Sequence, residues 1–514
     1  MNDPQAGEGF ANQWENPTGI RNLDLILGGG VPSGSLIMVV GPPGSGKTTL
    51  AAQMAFGVAV AGAPVLVLTT FSEPPSKLVA HLRSFTFFDE ALIGGAVRIL
   101  SLEQFLPDGL ASTGDELLAL ARETRVGLVV LDGFSALRDA DPRPQPARQF
   151  LYHVGGTLST RAVTTIITTE ANPSDPTLFP EATTADLIMG LHFQLDGVRR
   201  RRGIEVIKVR GRAELPGLHG LVIDAAGMTV YPRLEARVAT ITPNRVASQA
   251  PDRLTAVAPF GIPGLDLLLG GGITRATTTL LAGSLGAGKT LLGLQFALAG
   301  IRAGEPVTLL GFRETAGQLG IKAELLGHGE AMRAALESGG PLTFLIWPPV
   351  ELNPDVVADH LLAALARTGA RRLVIDSIAE LERAPQVTGD ARRMDEYLAA
   401  LVVILRDRGI TTLAIKESRQ TVVEGPEYLA DSISMMADNV LLLRQRGEGE
   451  HLRRTLAILK MRYSVHDAAI HDFLIAPPHG IQVGPSFHPL PADTPSPSRT
   501  APTSEPHMKP VTDA

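Results

Sequence analysis

Gly41-Pro42-Pro43-Gly44-Ser45-Gly46-Lys47-Thr48 sets a lysine and a hydroxyl directly behind a glycine-rich loop. The spacing fits G-x-x-x-x-G-K-[ST], whose chemistry is phosphate binding. Glycines let backbone N–H groups close around phosphate oxygens, and the start of a helix adds partial positive charge. The expected contacts are Gly44, Ser45, Gly46, Lys47, Thr48 and Thr49. Lys47 can reach the β and γ phosphates of a nucleotide, and the Thr48 hydroxyl can serve Mg²⁺. The competing reading is a glycine-rich turn that binds nothing. The flanks argue against it: residues 36–40 are an apolar run that predicts a buried strand, and residues 49–60 predict a helix. Strand, loop and helix in that order are the context the motif requires.

The loop occurs twice. Gly283-Ser284-Leu285-Gly286-Ala287-Gly288-Lys289-Thr290 repeats it, and its expected contacts are Gly286, Ala287, Gly288, Lys289, Thr290 and Leu291. Lys289 lies 242 residues after Lys47, and the segments before the loops repeat at the same offset. Thr18-Gly19-Ile20-Arg21-Asn22-Leu23-Asp24 faces Phe260-Gly261-Ile262-Pro263-Gly264-Leu265-Asp266. A shared offset over that span indicates a duplicated domain.

Acids that could complete the chemistry follow each loop. Residues 126–132 form an apolar run ending in Asp132, and residues 373–376 end in Asp376. An aspartate at a strand end is the pattern of the Mg²⁺-associated acid, weak alone and strong beside the loop lysine. Glu73 and Glu314 follow the apolar runs 64–69 and 307–310. Each could orient water for attack on a γ-phosphate. Each could equally be an acid facing a helix dipole. Cations end a later strand in each half: Lys208 and Arg210, then Lys460 and Arg462. Such groups stabilise phosphoryl charge within a subunit or across an interface. Residues 199–202 are four arginines, read here as a solvated hairpin before a strand over 203–209 rather than a nucleic-acid patch.

These elements need a scaffold. Repeated strand and helix signals, with β-branched runs at 163–170 and 410–415, predict an α/β fold: a mainly parallel sheet with helices on both faces in each half. The expected organisation is a mobile leader over 1–16, a first domain over 17–240, a linker over 241–259, a second domain over 260–488 and a Pro/Ser/Thr-rich disordered tail over 489–514. The 514 residues carry 44% hydrophobic and 19% charged side chains, with no cysteine. Disulfides and thiolate metal sites are thereby excluded. No apolar run approaches a membrane span, and residues 1–15 lack a signal-peptide core. The expected location is the cytoplasm. A net charge of −7 weighs against a dedicated nucleic-acid binder.

Taken in order, the two openings, both loops, both strand-ending aspartates, Ile167-Thr168-Thr169-Glu170, the arginine run and the Lys-x-Arg pairs resemble the KaiC family of RecA-like ATPases over roughly residues 16–487. The resemblance implies tandem RecA-like P-loop domains, assembled as a homo-oligomeric ring, a hexamer, with ATP between neighbours. It implies that Lys208, Arg210, Lys460 and Arg462 reach a neighbour's nucleotide. It further implies ATP hydrolysis in the first domain and autophosphorylation of a Ser/Thr pair in the second. Two departures qualify this. The family's paired glutamates read Ser72-Glu73 and Arg313-Glu314 here, and Arg313 cannot act as a base. The family's Ser/Thr pair falls on Ser434 and Met435, leaving Ser434 as the matched phosphoacceptor. The tail has no evident match to the segment that regulates clock KaiC. The expected protein is therefore a Mg-ATP-dependent signalling ATPase with a protein partner. The alternatives are a RecA/RadA-type DNA motor and a nucleotide-gated scaffold with negligible turnover.

Overall fold

The computed structural model describes residues 15–70, 73–105, 109–140, 144–175, 180–196, 198–239, 256–337, 339–384, 393–417, 432–448 and 451–486. The described residues open on a short antiparallel pair, β1 (Glu15–Asn16) and β2 (Val31–Pro32). The main sheet of the first lobe is β3 (Leu36–Gly41), β4 (Val65–Thr69), β5 (Val97–Ser101), β6 (Leu128–Asp132), β7 (Thr164–Glu170), β8 (Leu187–Asp196), β9 (Arg199–Val209), β10 (His219–Asp224) and β11 (Gly227–Tyr231). Across the sheet they run β5-β4-β6-β7-β3-β8-β9-β10-β11. The first six in that order are parallel, and the rest continue antiparallel.

The second lobe repeats every step. A short pair, β12 (Val257–Ala258) and β13 (Ile273–Thr274), precedes β14 (Thr278–Gly283), β15 (Val307–Gly311), β16 (Leu342–Ile346), β17 (Arg372–Asp376), β18 (Thr411–Glu417), β19 (Asn439–Glu448), β20 (His451–Met461), β21 (Ile470–Ala476) and β22 (Gly480–Ser486). The order β16-β15-β17-β18-β14-β19-β20-β21-β22 matches the first sheet position for position. The duplication read from the 242-residue offset is thus a duplication of topology, and both lobes are RecA-like α/β domains.

Period-two alternation explains the layers. Leu36, Met38 and Val40 pack on the side of helices Gly109–Glu123 and Pro144–Ser159. Ile37 and Val39 pack on the other side, with Leu50, Met54 and Phe56 of helix Lys47–Val60. Successive side chains of a strand point to opposite faces, so a strand that reads as a continuous apolar run is buried on both.

Three boundaries differ from expectation. Glu15 and Asn16, assigned to the leader, form β1 because they pair with Val31 and Pro32. Val257 and Ala258, assigned to the linker, pair with Ile273 and Thr274; residues 240–255 and the tail lie outside the described residues. The four arginines open the return arm of the β8–β9 hairpin, where Asp196 pairs with Arg199, so the strand expected over 203–209 begins at Arg199. Arg200 and Arg202, on one face of that strand, both lie over the Phe193 ring of β8, at 5.5 and 4.8 Å. Aromatic contact and strand pairing therefore hold a run whose composition suggests solvent.

The lobes are joined by more than the connecting chain. Helix Leu234–Ala239 sends Leu234 into a core cluster of the second lobe. Beside it, Arg393 bonds Glu235 at 2.9 Å and Asp355 at 2.5 Å. Asp359 accepts from Arg21 at 2.7 Å and Arg237 at 2.8 Å.

Candidate active site

β3 ends at Gly41, and after five intervening residues helix Lys47–Val60 begins. The turn between them depends on glycine. Gly46 has φ 107° and Gly288, its counterpart, φ 100°. A Cβ on Gly46 would lie 2.6 Å from Ile223 Cδ1, and one on Gly288 would lie 2.8 Å from Ile475 Cδ1. Left-handed backbone under a covering strand admits no side chain. Ile223 and Ile475, on β10 and β21, thus form walls that the motif did not announce.

The chemical groups converge on this turn. Lys47 Nζ donates to the carbonyls of Gly41 at 2.9 Å and Pro42 at 3.1 Å, and Lys289 Nζ to Ser284 O at 2.6 Å. Burial lowers the pKa of both lysines. Glu170 and Asp132 oppose it at Lys47, and Glu417 and Asp376 oppose it at Lys289. Thr48 Oγ1 donates to Asp132 at 2.9 Å, and Thr290 Oγ1 to Asp376 at 2.7 Å. The predicted hydroxyl–aspartate pairs are therefore assembled in both lobes.

The pairs are not identical. Asp132 also accepts from Thr168 Oγ1 at 2.5 Å, and Thr168 accepts from Gly133 N. Ile415 holds the matching place in β18, so Asp376 lacks that donor. Burial raises the Asp376 carboxyl above its usual range, against the Thr290 hydrogen bond.

These residues fit a triphosphate with Mg²⁺. Backbone N–H groups at a helix start supply donors. The hydroxyls of Ser45 and Ser284 are buried and have no hydrogen-bond partner among the described residues. In the second lobe Lys289, Thr290, Arg313, Glu314, Asp376 and Glu417 line one cavity of about 570 Å³.

Glu73 follows β4, whose Thr69 pairs with Asp132; Glu314 follows β15, whose Gly311 pairs with Asp376. The strands that precede both glutamates thus run beside those that end in the aspartates, and Glu314 acts on the Asp376 carboxyl. Ser72 lies outside the described residues. His81 Nδ1 approaches Glu73 Oε1 to 3.7 Å. Lys322 bonds Glu314 Oε1 directly.

Lys208, Arg210, Lys460 and Arg462 are placed elsewhere. Lys208 is level with Ile188 of β8, which is level with Met38 of β3, three residues before Gly41. At about 3.3 Å per residue, that is roughly 10 Å from the loop end of the strand. Arg210 lies further back, bonding Asp186 at 3.2 Å, and Asp186 bonds the N–H of Leu36. Lys460 and Arg462 repeat the arrangement against Val440, Leu280 and Asp438. Burial, then the neighbouring arginine, lowers the pKa of Lys208 and Lys460. The structure does not bring these four cations to the phosphate loop of their own lobe.

Two other arginines do touch the loops. Arg202 Nε donates to Gly44 O, and Arg454 Nε to Gly286 O, each at 3.2 Å. Their spacing of 252 residues equals that of Lys208 and Lys460, which is the signal that could have found them. Ser434 is buried at 5% exposure in helix Ser432–Met436, whereas Met435 is 63% exposed. Lys460 and Arg462 donate to the Met435 carbonyl.

No helix among the described residues is long and apolar enough to cross a membrane. The chain is similar to "Circadian clock oscillator protein KaiC" of Picosynechococcus sp., with 29% identity over 475 residues, covering 89% of this chain and 87% of that protein. It is 28% identical over 489 residues to the protein of that name from Thermosynechococcus vestitus, covering 92% and 89%. "Circadian clock oscillator protein KaiC 1" of Synechocystis sp. is 28% identical over 477 residues, covering 89% and 87%. A family model described as "ATPase: KaiC" matches residues 16–235 and 258–487, one copy on each lobe. With both phosphate loops, both hydroxyl–aspartate pairs and the doubled topology in place, the chain belongs to the KaiC family of ATPases.

Proposed function

We propose that this chain binds ATP at both loops, hydrolyses it chiefly in the first lobe, and acts as a homo-oligomeric ring, a hexamer, in which each protomer completes its neighbour's site. The carrying observation is the register that sets Lys208 and Arg210 about three to five residues from the loop end of the sheet. Cations ordered at that edge suit a nucleotide on an adjoining copy, since a supplied arginine is a known device of phosphoryl transfer.

The residues divide the work. Gly44, Ser45, Gly46 and Thr49 hold phosphate through backbone N–H groups, as do Gly286, Ala287, Gly288 and Leu291. Lys47 and Lys289 neutralise β and γ oxygens. Thr48 with Asp132, and Thr290 with Asp376, would hold Mg²⁺, the aspartates partly through water. That ion supplies charge neutralisation across the phosphates when bound. Glu73 would orient water in the first lobe, and Glu314 is the matching acid of the second.

Binding tests the reading first. Lys47→Ala and Lys289→Ala should each remove one nucleotide site and weaken ring assembly, measured by calorimetry and by light scattering. Two normal sites per chain in the double variant would refute it. A steady-state turnover measurement on the purified ring separates an ATPase from a scaffold that only binds.

The second lobe is a poor autokinase in this reading. Transfer to a hydroxyl needs an accessible acceptor and a group to take its proton. Ser434 is buried, Met435 carries no hydroxyl, and Arg313 is a fixed cation held by Glu380 at 2.5 Å. After long incubation with Mg-ATP, intact-mass spectrometry should show far less than one phosphate per chain. Stoichiometric phosphate on Ser434 would overturn this, and phosphate outside residues 432–438 would displace the assigned site.

A further inference from the structure

Each lobe carries a basic side chain eight residues after the glutamate that follows β4 or β15, and the two differ in kind. In the first lobe it is His81, whose Nδ1 stands 3.7 Å from Glu73 Oε1. That separation exceeds a hydrogen bond. In the second lobe it is Lys322, whose Nζ bonds Glu314 Oε1 as an ion pair. Glu314 Oε2 is buried without a hydrogen-bond partner among the described residues. Lys322, Glu314 and Lys289 line the same cavity.

From this difference we infer that Lys322 is a positioning residue that holds Glu314 away from water, so that the second lobe binds ATP and retains it unhydrolysed. The inference rests on the proposed ATP binding at both loops. Hydrolysis forms a bond from water oxygen to the γ-phosphorus, breaks the bond to the bridging oxygen of ADP, and passes a water proton to an acceptor. A carboxylate that orients that water must offer a free lone pair and keep its proton affinity. Here the Lys322 ammonium occupies Oε1 and Oε2 is buried, so neither oxygen offers an accessible lone pair. Arg313, held at the rim by Glu380, gives no substitute acceptor. Glu73, with no ammonium bonded to it, stays available, and the lobes divide into one that turns over and one that stores.

The test follows bound nucleotide as well as rate. Full-length ring is loaded with Mg-ATP labelled on the γ-phosphate, passed through a desalting column and denatured at intervals. The expected result is two nucleotides per chain, one converting to ADP within the turnover time and one remaining ATP at least ten times longer. Lys322→Asn should convert the retained ATP to ADP about ten times faster with little change in nucleotide affinity. Lys322→Arg should preserve retention, and Glu314→Gln added to Lys322→Asn should restore it. Two nucleotides hydrolysed at equal rates in the unaltered protein would overturn the inference and leave ATP binding at both loops intact. Unchanged retention in a Lys322→Asn ring that still binds two nucleotides would also overturn it. Absence of any bound nucleotide would instead refute the function on which it rests.

Discussion

Arg210→Ala is expected to lower turnover at the adjoining protomer's first-lobe site by roughly 10³-fold while its own phosphate loop still binds ATP, since an arginine supplied to the phosphates is worth that much in some NTPases. The size follows from what the side chain faces. Charge develops on the transferred phosphoryl oxygens, and a guanidinium fixed beside them needs no rearrangement when it does. Here the guanidinium is fixed already, by Asp186 at 3.2 Å and the Thr183 carbonyl at 3.0 Å. Its backbone lies level with the start of β3, on the far side of the sheet's length from Lys47. A role within one protomer would require it to cross that length. The decisive measurement mixes Lys47→Ala protomers with Arg210→Ala protomers. Neither should hydrolyse ATP in its first lobe alone, and mixed rings should recover part of the rate. Mixed rings, verified by native mass spectrometry, that recover nothing would show that each site is complete within one chain.

What the residues disclosed and withheld has a physical pattern. Both phosphate loops were legible because local rules coincide there: an apolar strand, glycines at left-handed positions, and a helix beginning on a lysine. Asp132 and Asp376 were legible because a strand that is buried throughout ends on a charge. The parallel core was legible from continuous apolar runs, and the repeat from one offset. Contacts made across the sheet were not legible. Arg202 reaches Gly44 only because β9 folds back beside β8, and Ile223 closes over Gly46 only because β10 continues that meander. The start of β9 was not legible because four adjacent charges suggest an end to the strand, while alternation sets two of them on one aromatic ring. The 252-residue spacing, ten longer than that of the loops, held this information for both lobes. The pairing of Lys322 with Glu314 needs the first turns of helix Ala316–Leu325, where residues eight apart in sequence come back toward the strand end.

Glu73→Gln is expected to leave ATP affinity at the first lobe nearly unchanged and to cut turnover by about 10²-fold, the usual scale for a group that takes or orients a proton. The substitution keeps length and shape and removes the negative charge. Binding should survive because phosphate contacts come from the loop, Lys47 and Thr48 rather than from Glu73. Turnover should fall because an amide orients water poorly and accepts no proton. In free-energy terms a 10²-fold loss corresponds to about 2.7 kcal/mol of transition-state stabilisation. A drop in kcat and kcat/KM together, at constant KM, is the signature of an interaction made in the transition state alone. Glu314→Gln in the same ring should change the total rate much less, since Lys322 already occupies that carboxylate. The comparison is sharp because the two glutamates hold matching places after β4 and β15. If Glu73→Gln ran at the native rate and Glu314→Gln did not, hydrolysis would belong to the second lobe. If both ran at the native rate, the water-orienting acid would be sought at Glu170 and Glu417, the other carboxylates that act on the loop lysines.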